Sequence, residues 1–348
     1  MKLLVTGGAG YIGSVVAELA VGAGHDVVVV DDLRAGNRAA VPPSCRFVVG
    51  PLGDAVTLEA CFALGPYDAV LHLAAEAAIE ASVTDPATYF QANLTDGLAL
   101  LDAVRAHRVQ RLVFSSTAAT YGEPLAVPID EDHPQRPINA YGESKLMFET
   151  CLRWYHRAYG LRAVSFRYFN AAGATEERGE ARPHETHLLP LLLDAAAGRR
   201  PPLEIFGTDY PTPDGTCVRD YVHVVDIARA HLLALDRIDD LGLAWFNIGS
   251  ETGYSVRQVI EAVESTLGRT IPWTPASRRP GDPAILVASA RRVREQLGWA
   301  PERPGLESIV QSAWRWREHH PEGYHSTAPR MPDGHSPTTS PAPIPTPR

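Results

Sequence analysis

The chain has 348 residues, of which 45% are hydrophobic and 21% charged, and a formal net charge of −9. That length accommodates one domain with an appended lobe, or two domains, around a sizeable core. The acidic balance argues against sequence-independent binding to nucleic acid, whose phosphates need clustered lysine and arginine.

Short apolar runs alternate with helical patterns over the first half. Leu3–Thr6, Val27–Asp31, Phe47–Gly50, Ala69–Leu73, Leu112–Ser115 and Ala163–Tyr168 are predicted as buried parallel strands. Tyr11–Ala23, Asp54–Leu64, Pro86–His107 and Ala140–Tyr159 carry helical spacing between them. This alternation predicts an α/β fold, a doubly wound parallel Rossmann sheet with ligand at the carboxyl ends of its strands. After about Ala171 the elements shorten and Pro and Gly multiply, which predicts a smaller C-terminal substrate-binding lobe. Val222–Ala234 and Leu243–Ile248 read as a helix and a strand returning to the main sheet. The expected division is a nucleotide-binding domain at 1–170, with returns from about 222–250, and a lobe made mainly of 171–318. The Pro/Ser/Thr-rich stretch 321–348 is expected to be a disordered tail.

Nothing resembles a signal peptide or an apolar run of about 18 residues, so no membrane partner is expected. Cys45, Cys61, Cys151 and Cys217 form no CxxC pair, which fits reduced thiols and a cytoplasmic location.

Gly7, Gly10 and Gly13 follow the first strand and open the first helix. In that setting one glycine permits the turn, one lets backbone approach a pyrophosphate, and one lets helix and strand pack closely. The helix N-terminus offers free N–H groups and a positive dipole end. The next strand ends in Asp31, followed by Asp32. A carboxylate there accepts both ribose hydroxyls and repels a 2′-phosphate, which favours NAD over NADP; Asp31 is preferred for the role, with Asp32 as its rival. Leu73-Ala74-Ala75 closes the fourth strand, where small residues serve either close packing or passage beside a cofactor.

Tyr141 and Lys145 lie one helical turn apart and share a face. A nearby ammonium and a cationic nicotinamide would lower the phenol pKa from about 10 and make tyrosine a usable base. The preceding strand ends in Ser115-Ser116-Thr117, where the Thr117 hydroxyl can meet a reacting oxygen or simply cap a turn. His187 and His223 can both be packed core histidines, and no cluster shows metal-ligand spacing, so no metal is expected.

These segments resemble the extended short-chain dehydrogenase/reductases, and within them the UDP-glucose 4-epimerase family, over roughly residues 1–318. The resemblance rests on the run Thr6–Gly13 and on Ser115–Gly122, with Arg167-Tyr168-Phe169-Asn170 and Ala171-Ala172-Gly173 further on. Thr186–Pro190, Phe206–His223 and Arg279-Pro280-Gly281-Asp282 complete it. It implies a redox-neutral inversion of sugar C4 with retained NAD, in which Tyr141, Lys145 and Thr117 are catalytic. Cofactor contacts extend to Tyr11, Ile12, Leu52, Ser115 and Tyr168. Asn170, His187, Leu188, Arg219 and Asp282, with Thr117 and Tyr141, would hold a UDP-sugar. Arg219 has the donor fork that suits a diphosphate, or it pairs with Asp220 or another acid. Related enzymes dimerise through two long helices, here Pro86–His107 and Ala140–Tyr159, so a homodimer is expected.

UDP-glucose/UDP-galactose is the expected pair. UDP-glucuronate is the runner-up, ahead of UDP-N-acetylglucosamine, a net sugar-nucleotide dehydrogenase and a non-catalytic NAD sensor. A 4,6-dehydratase needs an Asp-Glu pair after the threonine, and this chain has Ala118-Ala119. Three positions depart from the family: Pro51 in place of an adenine-binding acid, Glu76-Ala77-Ala78 where many members carry a lysine, and Leu286 at the residue that gates bulky sugars.

Overall fold

The computed structural model describes residues 1–279 and 282–324. The chain begins with β1 (Lys2–Thr6), α1 (Tyr11–Gly22), β2 (Asp26–Asp31), β3 (Arg46–Val49), α2 (Ala55–Ala63) and β4 (Ala69–His72). There follow α3 (Ile79–Thr84), α4 (Pro86–Phe90), α5 (Asp96–Ala106), β5 (Arg111–Thr117), α6 (Ala140–Tyr159), β6 (Arg162–Tyr168) and β7 (Asn170–Ala172). Next are α7 (Leu188–Ala196), β8 (Leu203–Phe206), β9 (Val218–His223), α8 (Val224–Leu241), β10 (Leu243–Ile248), β11 (Gly253–Ser255) and α9 (Val256–Leu267). The last are β12 (Trp273–Ala276), β13 (Ile285–Leu286), α10 (Arg291–Leu297) and α11 (Leu306–His319).

Seven strands form one sheet in the order β10-β6-β5-β4-β1-β2-β3, and every pairing in it is parallel. This is the doubly wound α/β architecture. The strand order reverses between β1 and β4, which puts the glycine turn at the switch point, where open α/β sheets bind ligands. The strands read as unbroken valine and leucine because helices cover both faces. α1 and α8 lie over one face, around Val5, Val29, Phe166 and Phe246. The other face packs Leu4, Leu100, Phe114 and Phe148.

β7, β9, β11 and β13 form a second sheet, and β8 and β12 a parallel pair. They share an apolar centre with α7, α9 and α11, built on Leu192, Val259 and Val310. The two parts are tied by Arg178, which donates Nε–H to the Ala40 carbonyl (2.8 Å) and pairs with Glu18 (2.8 Å). Tyr324 donates to the Gly179 carbonyl and packs on Trp316, so residues 321–324 lie against the body. The rest of the expected tail, and Pro280-Gly281 of the Arg279–Asp282 match, lie outside the described residues.

Two expectations are corrected in detail, and one element was missed. The run Pro86–His107 is not one regular helix, because a wide π-helical turn at Gln91–Thr95 separates α4 from α5. The short helix α3 was not legible. Val222 and His223 belong to β9, so the returning helix starts at Val224 and runs to Leu241.

Three histidines are buried neutral: His72 (down to about 3, by burial and then Lys145), His223 (about 4, by burial and then Arg303) and His231 (about 4, by burial). The unfolded chain, with histidines near 6.5, binds more protons, so stability is lost as pH falls below about 6.5. Urea unfolding at pH 5.5 should show a loss of about 1 kcal/mol per buried histidine relative to pH 7. His231→Phe should show a smaller fall over the same interval; an equal one would refute neutral burial of that ring.

Candidate active site

Gly7 takes φ +69°, a left-handed conformation that favours glycine. A Cβ there would stand 2.5 Å from the Ala74 nitrogen, so β1 and the segment after β4 touch backbone to backbone. A Cβ on Gly13 would lie 2.1 Å from the Gly7 carbonyl oxygen, which makes it the glycine that seats α1 on the turn. Gly10, the N-cap of α1, caps with no side chain, leaving the first helical N–H groups free. Leu73 and Ala74 donate their N–H groups to the Thr6 carbonyl (3.1 Å) and hydroxyl (3.3 Å).

The two acids after β2 have different partners. Asp31 accepts N–H bonds from Ala9 (3.0 Å) and Leu33 (2.9 Å), bracing the glycine turn, and burial raises its pKa. Asp32 is held by Arg34 (2.7 Å), which also pairs with Glu76 (3.3 Å). The carboxylate added at Glu76 is thus matched by a cation two strands away. Asp54 caps α2 by accepting from Thr57 N–H (3.0 Å). Leu52 is packed in the core.

Asn139 accepts from Gly142 N–H (2.8 Å) and fixes where α6 starts, and with it the phase of Tyr141 in the first turn. Lys145, 2% exposed, donates to the Ser115 carbonyl (2.8 Å) and lies 4.8 Å from the centre of the Phe114 ring. Burial pulls its pKa down to about 7, against the opposing pull of Glu149. Burial raises the Tyr141 pKa, and the Thr117 side chain and Arg182 partly offset that. Thr117 also caps the turn after β5, accepting from Ala119 N–H (3.1 Å). Tyr168 lines the same cavity, its hydroxyl bound to His231 (2.6 Å).

A cavity of about 450 Å³ runs from Tyr11, Thr117 and Tyr141 to Arg219 and Asp282. Asn170, His187, Leu188 and Leu286 line it. Arg219 pairs with Asp282, while Asp220 is buried and accepts from Ser250, Glu251 and Ala288 N–H groups. His187 is not a core residue: its exposed ring is bound to Glu185 (2.7 Å) at the mouth of α7. Although burial opposes ionisation, His187 and Arg182 hold Glu185 below the usual carboxylate range. Glu180, Glu185 and His187 place ligand-type atoms within 4.8 Å of one another, but Arg182 pairs with both acids, which makes this an ion-pair cluster.

The sequence matches the model of the NAD dependent epimerase/dehydratase family over residues 3–249. The chain belongs to that family. It is 50% identical over 314 residues to UDP-glucose 4-epimerase of Corynebacterium glutamicum, covering 90% of this chain and 95% of that protein. It is 47% identical to the enzyme of Lacticaseibacillus casei, over 93% and 99% of the two chains. Among solved structures, UDP-glucose 4-epimerase of Bifidobacterium longum in complex with NAD+ and UDP superposes with a TM-score of 0.89 at 36% identity, over 93% and 100% of the chains.

The glycine turn fits the family's dinucleotide: uncapped N–H groups lie beside a carboxylate of the kind that accepts ribose hydroxyls. Sequence reasoning missed Arg182 and Asn93. Arg182 sits in a loop without periodicity. Asn93, 1% exposed, accepts from Glu76 N–H (2.8 Å) and donates to Ser144 (3.0 Å), locking the 73–78 segment to α6. The π-turn that aims it leaves no compositional mark.

Gly13→Val should displace the turn. Purified protein should then carry little NAD by absorbance after acid release, with a lower Tm; full NAD content would contradict the packing role assigned to Gly13.

Proposed function

We propose that this chain inverts C4 of a UDP-hexose with NAD as retained cofactor, interconverting UDP-glucose and UDP-galactose. The carrying observation is one cavity with the Tyr141–Thr117 pair at one end and Arg219 and Asp282 at the other. Gly10 and the α1 N-terminus would hold the NAD diphosphate, Asp31 a ribose, and Lys145 the nicotinamide side. When bound, NAD supplies reversible hydride acceptance at C4. Tyr141 takes and returns the proton of the sugar 4-hydroxyl, and Thr117 hydrogen-bonds that oxygen. A phenol pushed up by burial needs cations nearby to ionise at neutral pH; Arg182 lowers its pKa, and Lys145 and the nicotinamide ring would add to that. Arg219, freed from Asp282, holds the diphosphate, so binding strength lies away from the reacting ring. The sugar can then turn over between the two hydride transfers.

UDP-glucose is favoured over UDP-glucuronate by the relatives, which are named UDP-glucose 4-epimerases. Leu286 on the wall leaves the C2 substituent to be read from the same assay.

A homodimer is supported by an exposed stripe on α6, Met147 (38%) and Trp154 (60%), seven residues apart on one face. The free cysteines support a cytoplasmic setting. Among the described residues no helix is long and apolar enough to cross a membrane.

Tyr141→Phe should keep NAD and lower kcat for UDP-galactose by about 10²–10⁴-fold. Wild-type protein should interconvert UDP-glucose and UDP-galactose and leave UDP-glucuronate unchanged; conversion of UDP-glucuronate alone would overturn the substrate reading. Trp154→Glu should give a monomer by light scattering, and a dimer surviving that change would place the interface elsewhere.

A further inference from the structure

Three turns of α6 meet three consecutive residues of β5. Tyr141 faces Thr117, Lys145 donates to the Ser115 carbonyl (2.8 Å), and Glu149 accepts from the Ser116 hydroxyl (2.5 Å). The spacing 141, 145, 149 is one residue per turn, so a single helix face grips the strand end that carries Thr117. Glu149 is fully buried and bidentate to Arg167 of β6, with Nε–H to Oε1 at 3.0 Å and an Nη2–H to Oε2 at 2.7 Å. Arg167, 3% exposed, also donates to the Tyr121 hydroxyl (2.9 Å), which donates to Asn247 Oδ1 of β10 (2.7 Å). Neither Glu149 nor Arg167 lines the cavity. For stability alone, an apolar pair of similar volume serves a core as well or better.

We propose that Glu149 is a positioning residue for the reaction: from its buried pair with Arg167 it keeps Lys145 an ammonium and fixes the strand end that presents Thr117. This rests on the epimerase reading above. The groups around Lys145 leave the task to Glu149. On its own helix stand Tyr141 and Glu149. β4 contributes His72, which burial keeps neutral, and β5 the Phe114 ring and the Ser115 carbonyl, neither of which titrates. β6 contributes Tyr168, bound to His231, and Arg167, turned onto Glu149. Glu149 is the group that raises the Lys145 pKa against burial.

The test is the pH dependence of kcat for UDP-galactose with NAD-loaded Glu149→Gln. The amide keeps the shape and removes the charge. Lys145 should then lose its proton at lower pH, moving the basic limb down by about one unit and lowering kcat at pH 8 about tenfold. KM should change by less than about twofold and NAD content should hold, because the amide oxygen still accepts from the Ser116 hydroxyl and the strand end keeps its place. A basic limb at its wild-type position overturns the proposal, whether or not Tm falls. If Glu149→Gln does not fold, Glu149→Leu with Arg167→Leu removes both charges together. The same limb shift supports the proposal there, and a wild-type limb defeats it. Wild-type protein that converts neither UDP-glucose nor UDP-galactose would instead sink the underlying epimerase reading, before any variant is compared.

Discussion

Lys145 is an amine removed almost wholly from water, its pKa pulled down to about 7 by burial. Its compensation is one backbone carbonyl, one aromatic face and a carboxylate one turn away. Burial penalises its charged form and that of Tyr141 alike. Several elements build that dry setting. The asparagine cap sets the phase of α6, β5 supplies the carbonyl, and the aromatic packing of Phe114 and Phe148 keeps solvent out.

Polar strength is distributed unevenly along the cavity. At one end Arg219 and Asp282 neutralise each other, and a diphosphate and a ribose can each take one of them as partner. That exchange replaces one charge-assisted contact by two, so the protein does not have to hold an uncompensated charge while waiting for ligand. Near Tyr141 the wall is largely small or apolar, with Ala77, Ala78, Ala118 and Ala119. A sugar there has few fixed hydrogen bonds to break when it rotates.

The parallel sheet was legible because strands buried on both faces must be continuously apolar, and Val27–Val30 are. The glycine turn and the Tyr141–Lys145 pair were legible because their spacing is imposed by backbone geometry. Other features were not, for definite reasons. The π-turn at Gln91–Thr95 differs from an α-helix by one hydrogen-bond step, which leaves the apolar periodicity nearly intact. Arg182 becomes a cavity residue through a loop whose path is set by Arg178 and Tyr324, 146 positions apart in the chain (324 − 178). The burial that raises the Tyr141 pKa was not legible either, because charges can be counted along a chain, whereas dryness depends on what the fold places around them.

β6 has β5 on one side and β10 on the other, and Ala163 pairs with Leu243. Eighty residues, the first of two excursions through the second lobe, separate those partners. While the chain is being made, the outer edge of β6 therefore stays an open ladder of N–H and C=O groups until β10 emerges. A parallel strand added so late slows folding and leaves an edge onto which another nascent chain can pair. The fold thus places its aggregation hazard at one known edge and one known interval of synthesis.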